Sequence, residues 1–306
     1  MSAGFQVTGA RGRSSSDLYD ARPATAWNAL ADHLFHSTLL DVTDVSFQRD
    51  LQSLFPELPF DTQQKWIELL RSRAFRSASS HVCSSCGSRQ MRNLALMTSA
   101  STDCGTCGAR KLNFDSILSD PDLHAARRVQ TTELTKGLNC RTALTATFSP
   151  IAVAASSVIV IDRFSITDAA RLSNIHDSGL QKLIDLAGSG AARDLHIYTV
   201  VNSQFQGRPV GIADLTNLAR ALTLPSSLTV KISFVKTSTA KEAMHDRWLG
   251  FTWGTTGAVS WTMGKGLGQY NGSRTAAKYS LARQSDGAVG SIIAEVAPAI
   301  IRTVTL

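Results

Sequence analysis

The first regular stretch of the chain carries apolar residues at three- and four-residue steps. In ATAWNALADHLFHSTLL these are Trp27, Leu30, Leu34, Phe35 and Leu39, a stripe that predicts an amphipathic helix. Phe60-Asp61-Thr62 offers a start for a second helix over QQKWIELLRSRAF, with Trp66, Leu69 and Leu70 as its buried face. Residues 1–22 lack such a pattern and are rich in Ser, Gly and Arg, so they read as a flexible arm. DSILSDPDLHAARRVQ reads as a short helical linker, and Cys140 beyond it as a small buried hydrophobe.

The pattern changes near residue 148. Ser157-Val158-Ile159-Val160-Ile161 is a β-branched run of strand length that ends at Asp162. DSGLQKLIDLAGSG, LHIYTVV, GIADLTNLARALTL and SLTVKISFV then read as helix, strand, helix and strand. That alternation predicts an α/β domain with a mainly parallel sheet. Ligand groups in such sheets gather beyond the carboxyl ends of the strands, where Asp162, Asn202 and His245 fall. The expected organisation is an arm (1–22), a helical region (23–80), a metal ribbon (81–112), a linker (113–147) and the α/β domain (148–306).

Composition narrows the class of partner. The 306 residues hold 31 Lys and Arg against 24 Asp and Glu, a formal charge of +7, which favours polyanions. No apolar run is long enough to span a bilayer and the first residues lack a signal-like segment, so a reducing cytoplasmic setting is expected. Placement says more than the sum. From Arg247 to Ser285 there is no acidic residue, while Arg247, Lys265, Arg274, Lys278 and Arg283 are basic. If they share a face, that face is an anion site; otherwise it is a solvated surface with counter-charges from elsewhere.

Cys83, Cys86, Cys104 and Cys107 form two copies of Cys-x-x-Cys-Gly-x-Arg. Two residues between thiolates let both sulfurs reach one metal, and the spacing of the pairs fits a four-thiolate Zn2+ site closed by a short hairpin. Such a zinc either staples the segment or also meets a protein or nucleic-acid partner.

The segment AMHDRWLGFTWGTTGAVSWTMGKGLGQYNG puts His245-Asp246-Arg247 ahead of two strand-like runs and closes on Gly264-Lys265-Gly266-Leu267. With the opening strand that ends in aspartate, this arrangement resembles the phospholipase D-like superfamily. It is most similar to a divergent branch that includes the C-terminal domain attached to microtubule-interacting-and-trafficking modules and bacterial relatives. The likeness covers roughly residues 150–306.

In active members of that superfamily a His-x-Lys motif is followed by aspartate and normally occurs twice. One histidine attacks phosphorus and the other protonates the leaving oxygen. Here Arg247 stands at the lysine position, Thr252 at the aspartate position, and the motif occurs once. The resemblance therefore implies phosphate recognition more than hydrolysis, since a guanidinium fork still pairs with phosphate. Hydrolysis with His245 as nucleophile would need His176, His196 or a symmetry-related subunit to supply the second imidazole. Asp246 and Arg247 could instead simply form ion pairs that fix the hairpin.

Three functions are expected in order. The first is a nucleic-acid-binding protein, of DNA or RNA, with Arg247, Lys265, Arg274 and Lys278 as phosphate contacts. The relatives imply that it works in a larger antiviral defence or mobile-element assembly. A phosphodiesterase or nuclease acting as a homodimer through His245 comes second, and recruitment to acidic lipid third.

Overall fold

The computed structural model describes residues 24–37, 40–41, 56, 58–75, 94–97, 110–113, 131–152, 155–190, 192–201, 204–205, 208–236, 238, 244–253, 257–284 and 287–306. The expected arm, the expected zinc ligands Cys83, Cys86, Cys104 and Cys107, the 115–130 helix and Asn202 lie outside these residues. The chain divides into two compact units, residues 1–129 with 254–257, and residues 130–253 with 258–306.

The first unit is built on the two expected helices, α1 (Ala24–Ser37) and α2 (Phe60–Arg73). Their buried stripes meet: Trp27 and Trp66 pack edge to face with ring centres 5.9 Å apart, and the Trp66 indole N–H donates to the Trp27 carbonyl at 3.2 Å. The short strands β1 (Leu40–Asp41) and β2 (Ala74–Phe75) follow these helices and pair in parallel. Strands β3 (Leu94–Met97) and β4 (Arg110–Asn113) also pair in parallel. β3 and most of β4 fall within the segment expected to form the metal ribbon, and their pairing is parallel rather than that of a short hairpin.

The second unit runs β5 (Thr131–Leu134), α3 (Cys140–Ala152), β6 (Ser157–Ile161), α4 (Ser165–Ala170), α5 (Gly179–Ser189), β7 (Asp194–Val200), β8 (Gln204–Phe205), β9 (Arg208–Pro209) and α6 (Ile212–Arg220). It continues with β10 (Thr229–Val235), β11 (Arg247–Trp253), β12 (Gly257–Met263), β13 (Tyr279–Arg283), α7 (Ala288–Val296) and β14 (Ile300–Thr305). Among the described residues the main sheet has eight strands in the order β14-β10-β7-β6-β11-β12-β13-β5. β6, β7 and β10 are parallel, as the helical crossovers between them require. The junctions of β10 with β14, β6 with β11, β12 with β13 and β13 with β5 are antiparallel. The sheet is therefore mixed rather than mainly parallel: β11, β12 and β13 extend it on the far side of β6, and β14 returns to the other edge beside β10.

The unit starts at residue 130, ahead of the composition change at 148, because α3 belongs to its core. Cys140, Leu144 and Phe148 are fully or nearly fully buried, and Phe148 stacks on Phe251 with centres 5.6 Å apart and meets Trp261 edge-on at 5.2 Å. On the opposite face, Val289 and Val296 of α7 pack with Ile161, Tyr198 and Trp248. The α5 helix is capped by Ser178, whose hydroxyl accepts the Gln181 N–H at 3.0 Å. One turn later Lys182 turns inward. Its ammonium donates to the carbonyls of Asp177 at 2.6 Å, Tyr270 at 2.8 Å and Gly272 at 2.6 Å. Burial lowers its pKa, and the three carbonyls compensate the buried charge. Together with the Gly179 N–H, which donates to Asn271 Oδ1 at 2.8 Å, this fastens the 264–275 loop to the start of α5.

Candidate anion-binding site

β11 runs antiparallel to β6, with Trp248 opposite Ile161, so the start of one strand lies beside the end of the other. Arg247 therefore comes to Asp162. The Asp162 side chain is fully buried, and the Arg247 Nε stands 3.5 Å from its Oδ1. The Phe164 N–H donates to Oδ1 at 3.0 Å and the Leu267 N–H to Oδ2 at 3.3 Å. Burial raises the Asp162 pKa to about 6, against the opposing pull of these N–H groups and of Arg247.

The Gly-Lys-Gly-Leu turn closes over the same carboxylate. Gly266 has φ +57°, in the left-handed region, and a Cβ there would run into Asp162 Oδ2 and the Arg247 side chain. The turn also holds Arg247 from above, with the Gly264 carbonyl accepting from its Nη1 at 3.3 Å. Lys265, exposed at the tip, acts electrostatically on Asp168 of α4, as do Arg247 and Arg171. Arg171 pairs with Asp168 at 3.0 Å. Burial, the larger influence, still raises the Asp168 pKa. The guanidinium carbons of Arg163 and Arg247 lie 5.2 and 5.5 Å from the Phe164 ring centre, within cation–π range.

Four cations thus surround two carboxylates beyond the carboxyl end of β6. No protein-family model and no curated protein matches the chain. Among the described residues no helix is long and apolar enough to cross a membrane.

Of the residues singled out from sequence, Arg247 and Lys265 meet at this site with Asp162. Arg274 and Lys278 make interactions of their own elsewhere: Arg274 donates to the Gly137 carbonyl at 3.1 Å and pairs as a bridge with Asn139, and Lys278 is 2.8 Å from Glu133 of β5. β13 and β5 lie three and four strands from β6, roughly 14–19 Å away at the usual strand spacing. His245 precedes Arg247 with its side chain 82% exposed, and its Nδ1 is 3.4 Å from Asp246 Oδ1. Asp246 therefore turns to His245, and Arg247 to Asp162 across the strands. His176 is exposed on a short 3-10 helix at Ile175–Asp177. His196 is hydrogen-bonded to Ser233 at 2.8 Å and stacked on Tyr198 at 4.2 Å, and burial lowers its pKa.

Arg163, Phe164, Asp168 and Arg171 belong to the site and escape detection by motif. The signal for Arg163 and Phe164 is Asp-Arg-Phe directly after the strand: residues that leave a buried strand at its carboxyl end enter the region where sheet ligands gather.

Proposed function

We propose that this protein binds nucleic acid through a degenerate phospholipase D-like domain, with Zn2+ held by Cys83, Cys86, Cys104 and Cys107 in a separate ribbon. The observation that supports the reading best is the Arg247–Asp162–Lys265 cluster, which presents cations at a strand end within a stretch free of acidic residues from 247 to 285. The cluster offers Arg247 and Lys265 to phosphate, and Arg274 and Lys278 add charge farther along the surface. Single- and double-stranded DNA and RNA, titrated at two salt concentrations, test the reading. Substituting Lys265 and Arg274 together is expected to weaken binding several-fold. The log-log salt slope should flatten by about 0.7–0.9 for each phosphate that is no longer neutralised, with little change in sequence preference. Unchanged affinity and slope would reduce the basic face to a solvated surface.

A second reading, phosphodiester hydrolysis, draws on the exposed His245 beside Arg247. Cleavage that disappears in His245→Ala would establish it over simple binding.

For the ribbon, metal analysis of the purified protein is expected to return about one zinc per chain, and X-ray absorption to return Zn–S distances of about 2.3 Å. A disulfide between the cysteine pairs would rule this site out.

A further inference from the structure

Asp162 is a buried carboxylate with modest compensation. Two backbone N–H groups reach it at 3.0 and 3.3 Å, and its guanidinium partner stands at 3.5 Å, long for a charge-assisted hydrogen bond. The groups around it come from several elements. Arg247 arrives from β11, and Asp168 comes from α4 with a like charge. β7 contributes the Tyr198 carbonyl, which accepts the Asp162 N–H at 3.1 Å. The 264–267 turn brings the Leu267 N–H to Asp162, and Lys265, with Arg171, acts on Asp168. Arg163 follows Asp162 directly and His245 lies two residues before Arg247. Arg247 is the group that both the carboxylate and an incoming anion would claim, since 19% of its side chain remains exposed.

We propose that this cluster takes up a tetrahedral oxyanion, as sulfate or as a phosphodiester, together with one proton, which lands on the Asp162 carboxylate as Arg247 turns its charge to the ligand. The proposal rests on the anion site described above and adds its regulation. With a pKa of about 6, Asp162 is ionised in the free protein at neutral pH and competes for Arg247. A bound anion adds negative charge nearby and raises that pKa further. Between the free and bound values the complex holds more protons than the free protein, so affinity rises as pH falls. Below the free value Asp162 is already protonated, and the dependence ends.

The test uses two probes that do not titrate between about pH 5 and 8: sulfate, and an oligothymidylate of about eight nucleotides with hydroxyl ends. Calorimetric titration near neutral pH in two buffers of different ionisation heat is expected to show proton uptake approaching one per site. Affinity should tighten by up to about tenfold per pH unit lowered toward 6. Asp162→Asn should bind more tightly at neutral pH and lose both the slope and the uptake. His245→Gln should keep the slope whatever it does to affinity. If Asp162→Asn does not fold, the carboxyl carbon shift of Asp162 in the unsubstituted protein, titrated with and without sulfate, reads the same shift directly.

Retention of the full slope in Asp162→Asn overturns the proposal, as does a lack of proton uptake with either probe. Sulfate uptake coupled to a proton, with no oligothymidylate binding, sustains it while removing the nucleic-acid reading. Oligothymidylate binding with a slope indifferent to Asp162 does the reverse.

Discussion

Lys182→Met is expected to destabilise the second unit by about 3–5 kcal/mol, the scale of breaking a buried charge network. The methionine matches the lysine stem in length and fills the same space, so the loss isolates the ammonium. Of the three carbonyls that accept from Lys182, Asp177 keeps a second donor, the Gly272 N–H at 2.9 Å. The carbonyls of Tyr270 and Gly272 lose the ammonium that reaches them. Each buried acceptor left unpaired costs about 1–3 kcal/mol. Urea unfolding followed by tryptophan fluorescence and circular dichroism checks this. A loss under about 1 kcal/mol would mean that water replaces the ammonium at these carbonyls.

The other large effect lies in the Gly-Lys-Gly-Leu turn. Gly266→Ala is expected to cost about 3 kcal/mol and to weaken anion binding: left-handed backbone at a non-glycine residue costs about 1–3 kcal/mol by itself. The new methyl group then meets the buried Asp162 carboxylate and the Arg247 side chain. The turn must shift, and with it goes the Leu267 N–H that serves Asp162. Gly264→Ala, two residues earlier, is the control. No atom lies within 4 Å of its Cβ position and its φ is not positive, so little change is expected. Equal losses at the two glycines would show that the packing around Asp162 is not the source of the cost, because the unfolded-chain effect of Gly→Ala is stabilising and common to both.

Much of the central architecture is legible in the residues. The runs at 157–161, 195–201 and 229–235 carry enough β-branched and apolar side chains to declare buried strands, and they became β6, β7 and β10. Ser178 and the apolar spacing after it announce α5, and the tryptophan stripes announce α1 and α2. The outer parts are quieter. β5 (TTEL) and β13 (YSLAR) mix polar with apolar residues at a sheet margin, where little burial is needed to hold a strand. The mixed order of the sheet is invisible to a reading by local period, since β11 pairs with β6 across most of the unit.

The candidate site follows the same division. His245, Arg247 and Lys265 stand out through motif, whereas Asp168 and Arg171 look like ordinary surface charges of a short helix. Their membership arises because Gly268 approaches Asp168, with a Cβ position 3.1 Å from its carboxylate. Lys182 gives no hint in sequence that it is buried, because an amphipathic helix usually carries lysine on its wet face. It is the Tyr270 and Gly272 carbonyls of a distant turn, with the nearby Asp177 carbonyl, that draw it in.

The hydrogen bond from Leu267 to Asp162 joins residues 105 apart, and those from Lys182 to the 270–272 turn span 88 and 90. Such long loops close late in folding. While a nascent chain emerges, β6, α5 and β7 are made well before the segment that neutralises Asp162 and occupies Lys182. Until 247–272 is made, that carboxylate and ammonium lack these partners, and water stands in their place.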